Sequence, residues 1–288
     1  MMNVAIIGGG RLGTCLGRAL AAHGYPVAAV SCPTLRSARE SVRLIGQGVA
    51  VTDPARAAAR GRLIFLCLPD DVIADVARRV AAGRRDWSGR TVFHTSGLQP
   101  ASILAPFKAR GAVIGSFHPA QSFPGKAAPL SVFRGIAFAL EGDPEVRTTG
   151  GRIVRRLGGQ VLWLTAADKP LYHAACSLAC NGLTILLDAA FDLLADLGLD
   201  PPAAGEVLLP LSQGTLQNVK KADPRRALTG PVVRGDAGTV ERHLEVLRRH
   251  PGILDIYRAL ARQALRTARE RGLPAARLRA LRRLLRGG

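Results

Sequence analysis

The sequence predicts an α/β domain built on a doubly wound, mostly parallel sheet, followed by an all-helical C-terminal domain. Up to about residue 165, short apolar runs alternate with helical segments rich in Ala and Arg, the pattern of strands joined by crossover helices. Beyond residue 165 the strand signals disappear. The chain has 288 residues, 48% of them hydrophobic, which is enough for two domains with their own cores. We therefore predict domains at 1–165 and 166–288.

Eight runs are the candidate strands: NVAII, PVAAV, GVAV, RLIFLCL, RTVFHTS, AVIGSF, GIAFAL and QVLWL. The run RLIFLCL is continuously apolar rather than alternating, as expected for a strand covered on both faces. In the second half, helical segments are predicted at 166–198, about 203–221, 237–249 and from 252 to the end.

The first strand and the helix after it enclose the pattern Gly8-x-Gly10-x-x-Gly13. In this context the pattern predicts a dinucleotide-binding domain of the Rossmann type. Gly8 permits a tight turn, Gly10 lets a pyrophosphate approach the backbone, and Gly13 allows the helix to pack close to the strand. The pyrophosphate would then bind the free N–H groups of the helix N-terminus, with Arg11 and Leu12 beside it.

The end of the second strand indicates which dinucleotide is bound. An NAD enzyme usually has Asp or Glu there for the ribose 2′-hydroxyl. This chain has Ser31, with Arg36 and Arg39 shortly after it. A hydroxyl with nearby guanidinium groups suits a 2′-phosphate, so NADP is favoured over NAD. Leu68 and Pro69, after the fourth strand, complete the predicted cofactor contacts.

Two further strands end in polar clusters, VFHTSGLQP and GSFHPAQSFPG. Ligands of open α/β sheets bind beyond the carboxyl ends of the strands. We therefore expect Ser96 and His118 at the substrate, while the pattern does not decide whether His94 also enters the site. Asp70, after the fourth strand, is predicted to cap the next helix.

Four polar residues then recur at steps of four in an otherwise apolar helical stretch: Lys169, His173, Ser177 and Asn181. Such a step keeps side chains close to one face. We predict Lys169 and His173 as catalytic, a cation for a carbonyl oxygen and a group for proton transfer, with Asn181 orienting the substrate. The alternative is a snorkelling lysine and a core histidine bonded to backbone. In the later loop ALTGPVVRGD, Arg234 is suited to clamp a carboxylate.

Composition limits the possible partners. The formal net charge is +19, but only five of the 40 basic residues are lysine, so the excess is an Arg surplus spread over the surface. No aromatic–basic interleaving accompanies it, and a nucleic-acid role is not favoured. The five cysteines form no C-x-x-C pair, so we predict no metal site. We expect that no apolar run is long enough to span a bilayer, and no signal peptide is recognisable, so we predict a cytoplasmic protein without a membrane partner.

The motifs GGGRLG, HTSG, GSFHPAQSF, YHAACSLACN and ALTGPVVRGD, in that order, resemble those of bacterial Rossmann-like oxidoreductases with a helical C-terminal domain of unknown function. The layout is similar to pyrroline-5-carboxylate reductase, prephenate dehydrogenase, ketopantoate reductase and the β-hydroxyacid dehydrogenases. The ketopantoate and β-hydroxyacid enzymes use a Lys followed four residues on by Asn, where this chain has Lys169 and His173. The segment SFHP is similar to the His-Pro segment of prephenate dehydrogenases, which implies that His118 lies at the substrate.

Residues and resemblance together predict an NADPH-dependent oxidoreductase that reduces a small carbonyl compound, a 2-oxo acid such as ketopantoate. Lys169 and His173 would stabilise the oxyanion and supply the proton. The resemblance also implies a homodimer formed by the C-terminal helices. Two alternatives stay open: an imine reductase of the pyrroline-5-carboxylate type, for which Lys169 would matter little, and a non-catalytic NADPH-binding sensor or scaffold.

Overall fold

The computed structural model describes residues 2–286. The chain divides into two compact units, Met1–Asn181 and Gly182–Gly288, called here the sheet unit and the helical unit. The last strand ends at Trp163, close to residue 165 where strand signals cease in the sequence. The division between the units falls further on, inside a long helical stretch whose first turns belong to the sheet unit.

The sheet unit contains one eight-stranded sheet in the order β3-β2-β1-β4-β5-β6-β7-β8. Neighbouring strands are parallel except for β6 and β7, which are antiparallel. Each strand overlaps one of the predicted runs, although β2, β6 and β7 extend one or two residues beyond the end of theirs, and the predicted fold class is confirmed. The strands are β1 Val4–Ile7, β2 Val27–Ser31, β3 Val49–Val51, β4 Leu63–Leu66, β5 Thr91–His94, β6 Val113–Pro119, β7 Ala137–Gly142 and β8 Gln160–Trp163.

The helices of the sheet unit connect these strands and cover the sheet. They are α1 Arg11–Ala22, α2 Leu35–Ile45, α3 Pro54–Ala58, α4 Asp70–Ala82, α5 Ala105–Lys108, α6 Val146–Arg156 and α7 Lys169–Ser177, with short 3-10 turns at Ala101–Leu104 and Leu130–Phe133.

Two apolar cores lie on the two faces of the sheet, because successive side chains of a strand point to opposite faces. Phe65, Phe93 and Phe117 belong to one core, where their rings lie 5.2–5.5 Å apart. Trp87 and Phe107 belong to the other, with rings 4.9 Å apart. All residues of β1 and β4 are buried, as their continuous apolar runs predict.

The helical unit contains α8 Leu183–Ala195, α9 Pro201–Lys221, α10 Pro224–Ala227, α11 Pro231–Arg234, α12 Ala237–Val246, α13 Pro251–Glu270 and α14 Ala275–Arg286. Its core is formed by apolar residues of α11 to α14, among them Val240, Leu265 and Leu281. Two details differ from the sequence prediction. The conspicuous loop contains the short helices α10 and α11, and the last predicted helix is two helices, separated near Gly272, whose φ of +80° ends α13.

A π-helical turn, Leu178–Gly182, joins α7 to α8, so the helical stretch Lys169–Ala195 runs for 27 residues and contains an 18-residue window with a mean hydropathy of 1.6. By length and composition alone this stretch could cross a membrane. The expectation that no apolar run reaches that length is therefore wrong. Its apolar side chains are largely exposed in this chain, as at Leu178 (75%) and Ile185 (57%), and α9 exposes further ones: Val207, Leu209, Leu211 and Leu216.

Truncation of Phe117 tests the aromatic core of the sheet unit. Phe117→Ala removes the ring that contacts Phe65, Phe93 and Phe138 and leaves a cavity. We expect the free energy of unfolding to fall by about 3–5 kcal/mol. Urea titration followed by tryptophan fluorescence reports on this unit, because both tryptophans of the chain lie in it. Leu130→Ala, at a residue that is 39% exposed, is the control. Equal urea midpoints for the two variants would contradict the placement of Phe117 in the aromatic core.

Candidate functional site at the carboxyl edge of the sheet

A groove of about 350 Å³ lies at the carboxyl edge of the central strands, entirely within the sheet unit. The segments that follow β1, β4 and β5 line it, together with the end of β6 and one residue of α7. Its lining residues are Gly10, Arg11, Leu12, Gly13, Cys67, Leu68, Asp70, Thr95, Ser96, Gly97, His118, Pro119, Gln121, Phe123 and His173. The structure thus brings both predicted polar clusters to the predicted dinucleotide turn.

The turn after β1 is closed toward the protein and open toward the groove. Gly8 has φ +99°, and its N–H donates to Ser31 O at 2.9 Å. A Cβ on Gly8 would lie 2.2 Å from Cys67 O, and one on Gly13 would lie 2.0 Å from Gly8 O. A Cβ on Gly10 would meet nothing within 4 Å. Gly8 and Gly13 are therefore required by packing, whereas Gly10 leaves free space beside the turn.

The N-terminus of α1 opens into the same groove. Gly10 is the N-cap residue, no side chain caps the helix, and its first turn contains no acidic residue. Arg11 and Leu12, both predicted cofactor contacts, line the groove here. Helix N–H groups without a capping partner, at the positive end of the helix dipole, form a site for an anion.

The residues after β4 differ partly from expectation. Leu68 lines the groove as predicted, but Pro69 does not. Pro69 is the N-cap of α4, and Asp70 is the first residue of the helix, with no side-chain capping bond. The predicted capping role of Asp70 is therefore wrong, and the residue lines the groove instead.

The two residues predicted to contact the 2′-phosphate, Ser31 and Arg36, differ in their exposure to solvent. Ser31 is buried, 3% exposed. Arg36 is exposed in the first turn of α2, the helix that Thr34 caps by accepting from Ser37 N at 3.2 Å. The polar groups at the surface here are therefore Thr34 and Arg36 rather than the hydroxyl of Ser31.

His94 is a structural residue of the buried sheet. Its Nδ1 accepts from Ser96 N at 3.2 Å, and its Nε2 lies 3.2 Å from Pro100 O. This arrangement assigns the ring proton to Nε2. Burial, aided by the nearby Lys169 charge, lowers the pKa of His94 to about 3. His94 is thus neutral and fully bonded, and it does not line the groove.

Ser96 lines the groove and also shapes its own turn. Its Oγ accepts from Leu98 N at 3.1 Å and from Gln99 N at 2.9 Å. The hydroxyl hydrogen of Ser96 is not used in these bonds, so it can be donated to a ligand.

Lys169, the predicted catalytic lysine, is completely buried beneath the groove. Its Nζ donates to Ser116 Oγ at 2.5 Å and to Ser96 O at 3.2 Å. Burial lowers the pKa of Lys169 to about 8, against the opposing effect of the Glu141 and Asp70 carboxylates. The amine is therefore still charged at neutral pH, but it is not among the groups that line the groove.

His118 and His173 face the groove from two sides, with ring centroids 6.1 Å apart. His118 Nδ1 lies 2.8 Å from the hydroxyl of Tyr172, and among the described residues no group bonds its Nε2. Burial first, then the charges of Lys169 and His173, lower the pKa of His118 to about 4. A Cβ on Gly97 would lie 2.6 Å from His173 Cδ2 and 3.0 Å from His118 Nε2. Gly97 therefore makes room for both rings.

The other predicted substrate contacts lie outside this groove. Along the helix of the four-residue pattern, Lys169 is buried, His173 and Ser177 are half-buried, and Asn181 is exposed in the π-helical turn. Arg234 belongs to the helical unit, where it is exposed at the end of α11.

Sequence reasoning missed Tyr172 and gave no role to Gly97. Tyr172 stands among apolar residues one position before His173, and nothing in its spacing marks it as a partner of His118. Gly97 was visible in the HTSG motif, but the closeness of the two imidazole rings is a tertiary feature. Among residues 2–286, no group of three or more His, Cys, Asp or Glu side chains is arranged to hold a metal ion.

Solved structures share this architecture over most of the chain. BF3122 of Bacteroides fragilis, provisionally assigned as an NADP oxidoreductase, has 26% identity and a TM-score of 0.78, over 91% of this chain and 97% of its own. TM1727 of Thermotoga maritima has 26% identity and a TM-score of 0.69, over 93% and 99%. A pyrroline-5-carboxylate reductase from Coxiella burnetii, 17% identical with a TM-score of 0.60 over 98% of each chain, shares the fold. A search of curated proteins finds no match.

Two family profiles match the sequence in tandem. A Rossmann-like domain matches residues 1–119, and a domain of unknown function, DUF2520, matches residues 136–264. The resemblance seen in the motifs is confirmed: the chain combines a Rossmann-like domain with the C-terminal domain DUF2520.

Proposed function

We propose that this protein is a cytoplasmic NADPH-dependent reductase of a small carbonyl compound, a 2-oxo acid, with ketopantoate as the first substrate to test. One observation carries the proposal. A single groove combines an uncapped helix N-terminus behind a glycine turn with the imidazole edges of His118 and His173. This combination suits a dinucleotide and a reacting polar group side by side.

The residues of the groove fit NADPH. The pyrophosphate would lie against the N-terminus of α1, in the space that a Cβ on Gly10 would fill. Arg36, exposed at the start of α2, would pair with the 2′-phosphate, with Thr34 beside it. When bound, NADPH supplies the hydride. BF3122 is provisionally assigned as an NADP oxidoreductase, which supports the same cofactor here.

The buried Lys169 ammonium supplies the positive potential that carbonyl reduction requires. Negative charge develops on the carbonyl oxygen as hydride arrives, and a fixed cation in a low-dielectric region stabilises it. Ser96 and Ser116, which accept from Lys169, connect the ammonium to the groove floor. His173 contributes a hydrogen bond from the side of α7. Asn181 and Arg234 remain proposed substrate contacts, the latter for the carboxylate.

Reduction of a cyclic imine is the second candidate, and the depth of Lys169 favours it. The amine does not line the groove, so it donates no direct hydrogen bond to a ligand there. An imine acquires no oxyanion and depends less on such a donor. The fold shared with the pyrroline-5-carboxylate reductase is compatible with this chemistry.

We further propose that the protein is a homodimer formed through α8 and α9. These helices expose apolar side chains such as Ile185, Leu209 and Leu211, an unfavourable surface in water. Asp188 and Asp192 lie within α8, and carboxylates are unfavourable inside a bilayer. A second copy of the chain, which buries the apolar side chains and leaves the carboxylates in water, is the partner that suits this surface.

Two alanine variants separate cofactor binding from folding. Gly10→Ala places a methyl group in free space, so the melting temperature should stay unchanged while NADPH affinity falls by at least about tenfold, since the pyrophosphate loses its approach. Gly13→Ala drives a methyl group into Gly8 O and should lower the melting temperature itself. Calorimetric titration and thermal unfolding measure the two effects. Full NADPH affinity in Gly10→Ala would contradict the proposed cofactor site.

The pH dependence of reduction tests the role of Lys169. With a pKa of about 8, the amine is charged below that pH and neutral above it, so kcat/KM for ketopantoate should fall as pH rises through about 8. Lys169→Met should lower kcat by about ten- to a hundredfold, less than the loss of a direct oxyanion donor, and abolish this decline. Lys108→Met, at an exposed lysine paired with Asp143, is the control. Imine reduction that survives Lys169→Met would select the second candidate.

Light scattering with size-exclusion chromatography tests the dimer. The wild-type chain should elute as a dimer in detergent-free buffer, and Ile185→Lys with Leu209→Lys should convert it to a monomer, because the added charges would be buried at the interface. Substitution of Val49→Lys, an exposed apolar residue of the edge strand β3, should leave the dimer intact. The proposal would be refuted if the wild-type protein were monomeric, or if the protein were recovered only from membranes solubilised with detergent.

A further inference from the structure

We propose that Tyr172 fixes the tautomer of His118, so that the imidazole presents an Nε2–H to the groove and donates the proton to the substrate during reduction. This inference rests on the proposed function for its chemical step. Its structural half, the position of the ring proton, can be decided without any substrate.

The contact between the two side chains is direct and well oriented. His118 Nδ1 lies 2.8 Å from the Tyr172 hydroxyl, and the rings meet edge to face with centroids 5.6 Å apart and an interplanar angle of 84°. A hydrogen bond of this length needs one donor and one acceptor. Either the phenol donates to Nδ1, which leaves the ring proton on Nε2, or Nδ1–H donates to the phenol oxygen.

The surroundings of Tyr172 favour the phenol as donor. Burial raises the pKa of Tyr172, so its O–H is retained. The other polar group that acts on the hydroxyl is the Cys176 thiol, one helical turn further along, which also raises the pKa of Tyr172. Sulfur is a weak acceptor, whereas an imidazole nitrogen is a strong one, so the phenol proton points to Nδ1.

The ring of His118 stays neutral, which makes the tautomer decisive. Burial and the Lys169 charge hold the pKa of His118 at about 4. A neutral imidazole has one N–H only, and Tyr172 directs it to Nε2. Nε2 is also the nitrogen close to Gly97, whose missing Cβ would otherwise lie 3.0 Å from it. The proton-bearing nitrogen is therefore the one that faces the groove.

The proton transfer balances through the pair. As hydride reaches the carbonyl carbon, the π electrons of the C=O bond move to the oxygen. The oxygen takes the proton from Nε2, and Nδ1 takes the phenol proton of Tyr172. The phenolate then regains a proton from solvent. The net change is one hydride from the cofactor and one proton from water, which yields the alcohol and the oxidised cofactor.

The chain contains a matched control pair in the helical unit. His243 Nδ1 lies 3.0 Å from the Tyr257 hydroxyl, with ring centroids 5.6 Å apart and an angle of 85°. Tyr257→Phe therefore removes the same kind of hydrogen bond as Tyr172→Phe, outside the groove.

Nitrogen-15 NMR of histidine-labelled protein decides the tautomer. In the wild type, His118 should show a protonated Nε2 and an unprotonated Nδ1. In Tyr172→Phe the two tautomers should exchange, whereas Tyr257→Phe should leave the His118 signals unchanged. A wild-type His118 with its proton on Nδ1 would overturn the inference, and this readout needs neither turnover nor a stable variant.

Single-turnover kinetics test the chemical step. With the substrate identified for the wild type, Tyr172→Phe should slow hydride transfer by about 10²-fold at unchanged NADPH affinity, and His118→Asn should slow it by about 10²–10⁴-fold. Tyr257→Phe should match the wild type. Equal rates in Tyr172→Phe and the wild type would refute proton donation by the pair. Absence of wild-type turnover with every carbonyl and imine substrate would instead refute the proposed function and leave the NMR result standing.

Discussion

The candidate site depends on one interaction, the burial of the Lys169 ammonium under the ends of β5 and β6. Its bonds to Ser96 O and Ser116 Oγ tie the first turn of α7 to the segment after β5 and to the middle of β6. A buried cation without hydrogen-bond partners would be strongly destabilising, so these acceptors fix where α7 begins. The position of α7 in turn determines where His173 and Tyr172 meet His118.

The charge of Lys169 also affects the pKa values of the two nearby histidines, His94 and His118. Lys169 contributes to the lowered pKa values of His94 and His118, each of which is dominated by burial. Both rings are consequently neutral under physiological conditions, while the lysine below them remains charged. In the proposed reaction, the Lys169 cation beneath the groove provides electrostatic stabilisation and the neutral His118 ring provides the proton, so that different residues have the two roles. A histidine that became cationic would combine both roles and lose its directional proton.

The fold was predictable because its determinants are local. Apolar runs, helical segments and the glycine turn specify strand positions and the dinucleotide edge, and all eight strands lie where the runs predict them. The site was predictable only as a set of elements. Which histidine enters the groove depends on side-chain direction at the strand ends: His94 points into the sheet core and His118 does not. The depth of Lys169 and the Tyr172–His118 contact likewise arise from packing between segments far apart in sequence.

The four-residue pattern of the long helix shows why spacing alone overstated the site. A step of four exceeds the 3.6 residues of a helical turn, so the polar line turns around the axis by about 40° at each step. Lys169 is buried and His173 reaches the groove, but Asn181 is exposed, and the π-helical turn at Leu178–Gly182 adds a further rotation. From Leu178 on, the same helix exposes leucine and isoleucine to solvent. The helical stretch therefore changes character along its length, from contributing His173 to the groove near its start to exposing apolar side chains at its end.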